Sequence, residues 1–267
     1  MPGHDTANRD KVVVVTGGAS GIGRATALVM AEAGWGTIAL LDRNEAGLEA
    51  VAAELAAVGA RGIPVPADLS DLAACERLIG EIVSVSGRVD AVVHSAAIAR
   101  PAIAVVDYDT AKFMQDFDVN VTAGFILARD AARHMIDAGR PGSIVFIASI
   151  NAQGAGVGSI GYCASKAGVI AMMKVMAAEL GSHGIRVNTV SPGPTDTPRS
   201  IDRVGEKVME RLRERFDGAA LRRLGEPREI GDAVSYLCSQ AASYVSGHDL
   251  VVDGGLMASV YVAAKPE

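Results

Sequence analysis

Cysteine is scarce in this chain of 267 residues: Cys75, Cys163 and Cys238 are odd in number and far apart, which fits neither a disulfide framework nor a zinc site and suits reduced thiols. Cys163 reads as a small buried thiol, not a nucleophile. No metal site is expected. Excess positive charge is also missing. A net charge of -6 and a sequence pI near 5.4 exclude a phosphate-backbone partner, because nucleic-acid binding rests on clustered Lys and Arg. Nowhere do about 18 apolar residues run together, so no membrane span is expected. The opening MPGHDTANRD has no apolar stretch that would act as a signal, and the expected location is the cytoplasm. Repeats, low-complexity tracts and long linkers are absent as well.

What is present is an alternation. Short β-rich apolar runs recur at Val12 to Val15, Thr37 to Leu41, Ile63 to Val65, Val89 to Val93, Ile144 to Ile147, Val187 to Val190 and Leu250 to Val252, each followed by helical spacing. Continuous apolar strands alternating with helices predict one α/β domain, a parallel sheet covered on both faces, over residues 11–257 between polar tails at 1–10 and 258–267. Pro64 and Pro66 would remove ladder hydrogen bonds from a central strand, which places the third strand at an edge. A dinucleotide-type order beginning 3-2-1 has its edge there too. The expected fold is a Rossmann-type, doubly wound, seven-stranded parallel sheet of order 3-2-1-4-5-6-7.

After the first strand comes TGGASGIG, whose Gly17, Gly21 and Gly23 lead through Ser20 and Ile22 into a helical stretch over 24–33. Glycine permits the tight turn and close backbone approach to a diphosphate, and the helix start supplies free N–H groups. Asp42 follows Gly23 by 19 residues at the end of TIALLD, where a carboxylate can accept from a ribose 2'-hydroxyl. Asp68, beside Leu69 in ADLSD, is placed to hold the adenine edge or to serve a helix cap within 68–71. In YCASK, Tyr162 and Lys166 stand four apart, so a helix brings both polar tips to one face. A free tyrosine titrates near ~10, and moving it by about two to three units takes ~3 to 4 kcal/mol, which one cation at about 4 Å supplies at an effective dielectric of ~20.

These motifs, with Asn120 in FDVNVTAG, Ser149 in IVFIAS, NTVSPG over 188–193 and the late VVDGG, resemble those of the short-chain dehydrogenase/reductase family, from about Lys11 to Met257. The resemblance implies a tetrad of Asn120, Ser149, Tyr162 and Lys166, in which Tyr162 exchanges the substrate's hydroxyl proton, Ser149 steadies its oxygen, Lys166 holds the nicotinamide ribose and Asn120 positions a water. It also implies nicotinamide contacts from Pro192, Gly193, Thr195 and Thr197. One departure stands out: where the family usually has Asn-Asn-Ala-Gly, this chain has His94 to Ala97, HSAA, so that Ser95 and Ala96 are the expected cofactor contacts there and Ala97 adds a methyl. His94 reads as a strand-end histidine with a structural hydrogen bond.

The expected activity is NAD-dependent interconversion of a secondary alcohol and its ketone. Alternatives are an NADP-preferring carbonyl or 3-oxoacyl reductase, an epimerase or dehydratase, and a nucleotide-sensing binding protein of the same fold. Asp42 would repel a 2'-phosphate and Ser20 is not basic, which favours NAD; Arg43, the counter-indication, has the more ordinary task of covering the adenine face. Within a lid at about 193–226, Val204, Val208, Leu212 and Phe216 recur every four residues and predict one amphipathic helix over a mostly apolar pocket. Ser149, Asn151 and Tyr162 are the expected substrate contacts; Arg100, Arg199 and Arg203 read as solvated loop charges, the alternative being a guanidinium fork for an anionic group, and the substrate as neutral and medium-sized. The apolar stretch Ala164 to Ala178 calls for a partner, and the resemblance implies a homotetramer, with LMASVYVAAKPE at a second interface.

Overall fold

Four consecutive valines begin the sheet, and the computed structural model, which describes residues 8–258, shows how their side chains divide between two cores. Val13 and Val15 of β1 (Val12–Thr16) point into one core, and Val14 into the other, as the two-residue period of a strand requires. The remaining strands are β2 (Thr37–Asp42), β3 (Arg61–Pro66), β4 (Ala91–His94), β5 (Gly142–Ile147), β6 (Ile185–Pro192) and β7 (Asp249–Val252), all parallel. Their order is β3-β2-β1-β4-β5-β6-β7. Every expected strand is present, with β4 starting at Ala91, two residues later than the apolar run. Pro64 and Pro66 lie on β3, which pairs only with β2.

Helices α1 (Gly21–Glu32) and α2 (Glu45–Ala57) pack on one face with α9 (Pro227–Cys238). On the other face are α3 (Leu72–Ser86), α5 (Ala123–Asp137) and α6 (Ile160–Leu180), with α4 (Thr110–Phe117) against α6. Side chains cap several starts: Asn44 accepts from Gly47 N–H and Asp71 from Ala74 N–H. Asp71, not Asp68, therefore performs the capping expected within 68–71. Between α4 and α5 the helix widens to a π-helical turn at Asp118–Thr122, which carries Asn120.

One expectation needs correction. The lid is not one amphipathic helix: Gly205, at φ 84° and ψ 151°, separates α7 (Pro198–Val204) from α8 (Glu206–Glu214). This break turns Val204 and Val208 outward, leaves Phe216 beyond α8, and makes Met209 the one buried residue of α7 and α8. The segment Ile160–His183 is long and apolar enough on average to cross a membrane, although Lys166, Lys174 and Glu179 interrupt its apolar run. Here it packs on the sheet, and Val169, Met173 and Met176 enter the core. Of the C-terminal stretch assigned to a second interface, 259–267 lies outside the described residues.

Candidate active site

The turn after β1 is held by glycine for a reason that distances make concrete. A Cβ on Gly23 would sit 2.1 Å from Gly17 O, and Gly17 (φ 68°) and Gly21 (φ 52°) occupy left-handed conformations. Ser20 precedes α1 without a side-chain cap, so the first N–H groups of α1 remain free for a ligand's oxygens. A cleft of about 470 Å³ opens above them, lined by Gly17, Ser20, Gly21, Ile22, Gly23, Asp42, Arg43, Asp68, Leu69, Ser95, Ala96 and Thr197. Asp42 is fixed at its wall, accepting from Asn44 N–H (3.0 Å) and Ala19 N–H (3.3 Å). Asp68 accepts from the N–H and hydroxyl of Ser70, which hold its carboxyl below the ordinary range. The turn and cleft thus fit a dinucleotide. Pro192, Gly193 and Thr195 do not line the cleft: Gly193 N–H donates to Val252 O, and Thr195 bridges to Gly225. Thr197 caps α7 at its rim.

The loop after β4 shows what HSAA does. Thr16 Oγ1 accepts from the N–H groups of both Ser95 and Ala96 (3.0 Å each) and stands 3.0 Å from His94 Nδ1. His94 Nε2 lies 3.1 Å from Val119 O, which can only accept, so the proton is on Nε2 and Thr16 donates to Nδ1. The structural reading of His94 agrees with this network, which ties β1, β4 and the π-helical turn together. Arg199 reaches across from α7 to donate to Ala97 O (2.7 Å), joining the lid to this loop.

Burial and, less strongly, the charge of Lys166 push His94 down to about 3, far below its ordinary 6.5. Because the unfolded chain then binds the extra proton between these values, this group's stabilisation is present above pH 6.5 and is lost as pH falls toward 3. His94→Asn, whose Oδ1 can replace Nδ1 as the acceptor from Thr16, is expected to flatten the pH dependence, recovering about 2 kcal/mol of the loss between pH 7 and 5 in urea denaturation. Equal losses in both proteins would contradict the assignment.

The tetrad residues converge from three elements: the π-helical turn, the end of β5 and α6. Tyr162 is half-buried in the first turn of α6, and Lys166 lies one turn on, 1% exposed, its Nζ 5.8 Å from the Tyr162 ring centre. Lys166 donates to Ile147 O (2.6 Å) and has no carboxylate ion-pair partner among the described residues; burial and the charge of Arg199 pull it down to about 7. Ser149, buried at the end of β5, accepts from Asn151 N–H (3.1 Å), which puts the Asn151 side chain on the following 3-10 turn. Asn120 is committed otherwise than to Lys166: its Oδ1 accepts from Ile98 N–H (2.6 Å), and its Nδ2 donates to Ile98 O (3.1 Å) and Ser165 Oγ (2.9 Å). One Oδ1 lone pair is left for a water. Ser165 in turn donates to Tyr162 O (2.8 Å), so Asn120 braces the turn that carries Tyr162.

Arg100 and Arg199 are held by partners within the protein, whereas Arg203 stays exposed. Arg100 Nε donates to Asp116 Oδ1 (3.0 Å), whose other oxygen accepts from Tyr108, and Asp116 is 1% exposed beneath Gly161. Arg203 donates to Ser159 Oγ (3.2 Å). Arg100, Tyr108, Ser159 and Arg203 line a narrow polar notch beside Tyr162, too tight to admit a water. Cys163 is half-buried, whereas burial pushes Cys75 and Cys238 up to about 11. Thr16, Tyr108, Asp116 and Ser165 escaped the sequence reading; only Ser165 had a signal, being three residues from Tyr162 on the same helix face.

Residues 17–257 match the family model described as enoyl-(acyl carrier protein) reductase. The chain is a short-chain dehydrogenase/reductase. Among its relatives, L-rhamnose 1-dehydrogenase (NAD(P)(+)) of Azotobacter vinelandii is 35% identical, covering 94% of this chain and 98% of that one. D-threitol dehydrogenase of Mycolicibacterium smegmatis is 38% identical over 92% of each. The crystal structure of a short-chain type dehydrogenase/reductase from Mycobacterium marinum superposes with a TM-score of 0.85 at 34% identity, covering 93% of this chain and 96% of that one. This short-chain dehydrogenase/reductase is thus an oxidoreductase that uses a nicotinamide cofactor.

Proposed function

We propose that the enzyme uses NAD and interconverts a secondary alcohol and its ketone in a neutral, medium-sized polar compound. The observation that carries the reaction class is Lys166, a buried cation with no carboxylate ion-pair partner among the described residues, on the helix face of Tyr162. With Lys166 beside its ring, Tyr162 takes the hydroxyl proton in the oxidative direction and returns it in the reductive one. Ser149 steadies the substrate oxygen. The nicotinamide ring, when bound, supplies the carbon that accepts or gives the hydride. Gly17 to Gly23 and Asp42 would hold the diphosphate and adenosine ribose, and Lys166 the nicotinamide ribose.

Asp42 supports NAD, since its carboxylate is pinned where a 2'-phosphate would approach. In a panel of secondary alcohols, sugars, hydroxy acids and hydroxyacyl thioesters, kcat/KM is expected to favour NAD over NADP by at least about tenfold, ~1.4 kcal/mol. A ratio favouring NADP would remove the cofactor assignment. The names of the rhamnose and threitol relatives support a polyhydroxylated substrate; turnover confined to carboxylates or acyl thioesters would overturn that part.

The enzyme is further proposed to be a homotetramer. Val175 on α6 is 57% exposed and Phe125 on α5 40%, apolar surface that a second copy would cover. Light scattering at micromolar concentration should give the mass of about four chains. A stable monomer would contradict it.

A further inference from the structure

The cleft occupies the C-terminal ends of the strands, but the opposite pole of the sheet holds a second cavity, of about 530 Å³. Its wall carries Lys11 ahead of β1, Arg88 and Asp90 ahead of β4, Arg140 ahead of β5, and Arg186 on β6. Four cations against one carboxylate is unusual in a chain of net charge -6.

The charges are also unequally compensated. Arg88 grips Asp90 through Nε (2.8 Å) and Nη2 (2.5 Å), and this pair is neutral. Among the described residues Arg140 has no carboxylate partner: Nη2 donates to His134 Nε2 (3.0 Å), and its Nε is enclosed without a hydrogen-bond partner there. That contact requires a neutral imidazole, in keeping with burial and the charge of Arg140, which lower His134. Among the described residues, Arg186 donates only to the carbonyls of Val245 and Ser239, at 3.3 Å each. Lys11 lies over the Trp35 ring at 5.7 Å. Arg186 and Lys11 both bear on the nearby Cys238 thiol, so they act on one small region.

Partly buried guanidiniums without a counter-charge are costly, and a bound anion would remove that cost. Guanidinium also presents paired donors that match the oxygens of a phosphate. We propose that this cavity is a second ligand site, separate from the active site, which takes a small oxyanion of the phosphate or diphosphate class between Arg140 and Arg186, with Lys11 adding charge. The volume suits a ligand larger than a single phosphate.

The test uses the enzyme with its reduced nicotinamide cofactor saturating, so that the glycine-rich turn is filled. Calorimetric titration at constant ionic strength, with pyrophosphate in one arm and inorganic phosphate in the other, is expected to show one saturable site per chain, tighter for pyrophosphate. The same saturation should raise the Tm by about 3 °C. Arg140→Gln and Arg186→Gln should each weaken pyrophosphate at least about tenfold, and Lys11→Gln, which disturbs only the contact with Trp35, about threefold. Absence of saturable binding below about 10 mM in the cofactor-loaded wild type, or unchanged affinity in folded Arg140→Gln, Arg186→Gln and Lys11→Gln, would overturn the proposal. If neither arginine variant folds, the wild-type titration and Lys11→Gln decide it.

Discussion

Tyr162→Phe is expected to lower kcat at least about 10²-fold while leaving the affinity for reduced cofactor within a few-fold of wild type. The substitution removes one oxygen and keeps the ring, so the packing of the first turn of α6 and the position of Lys166 beside that ring are retained. The bracing of this turn is also untouched, because Ser165 binds the backbone carbonyl of residue 162 and Asn120 binds Ser165. Only the proton carrier is lost. The measurement is NADH-linked turnover of the best substrate in the panel, with cofactor affinity from fluorescence titration. Turnover within about tenfold of wild type would show that the proton moves by another route.

Gly23→Ala is expected to raise the cofactor dissociation constant at least about 10²-fold and to destabilise the fold. The new methyl would lie 2.1 Å from Gly17 O and 2.6 Å from Gly17 C, both backbone atoms, so the turn or the helix must move. The turn has little freedom: Gly18 N–H donates to Leu41 O (3.2 Å), and Gly17 lies against Ala96, whose N a Cβ there would approach to 3.0 Å. The helix has little either, since Gly231 of α9 packs against the Thr26 backbone so closely that a Cβ would stand 3.2 Å from it. Any shift that relieves the clash moves the N–H groups of α1 away from the diphosphate, and hydrogen bonds weaken steeply with such misalignment. Titration of reduced cofactor against the folded variant measures the effect. An affinity within threefold of wild type would show that the turn adapts.

Sequence alone determined the strands, their order and the principal polar pair of the site. Apolar runs and the prolines of β3 act through backbone geometry, which is local, and Tyr162 with Lys166 share one helix face wherever that helix packs. The glycine turn was legible for the same reason, since its allowed conformations belong to the residues themselves. Tertiary structure decided what those side chains meet. Asn120 finds Ile98 and Ser165, 22 and 45 residues away, and Arg100 finds Asp116, because loops bring them together along paths that no periodicity encodes. Gly205 broke the lid helix although the four-residue repeat ran through it, its backbone conformation outweighing an apolar stripe that the lid left exposed. The protonation of Lys166 and His94 was likewise decided by the fold, because desolvation depends on everything that surrounds a group and not on its neighbours in the chain.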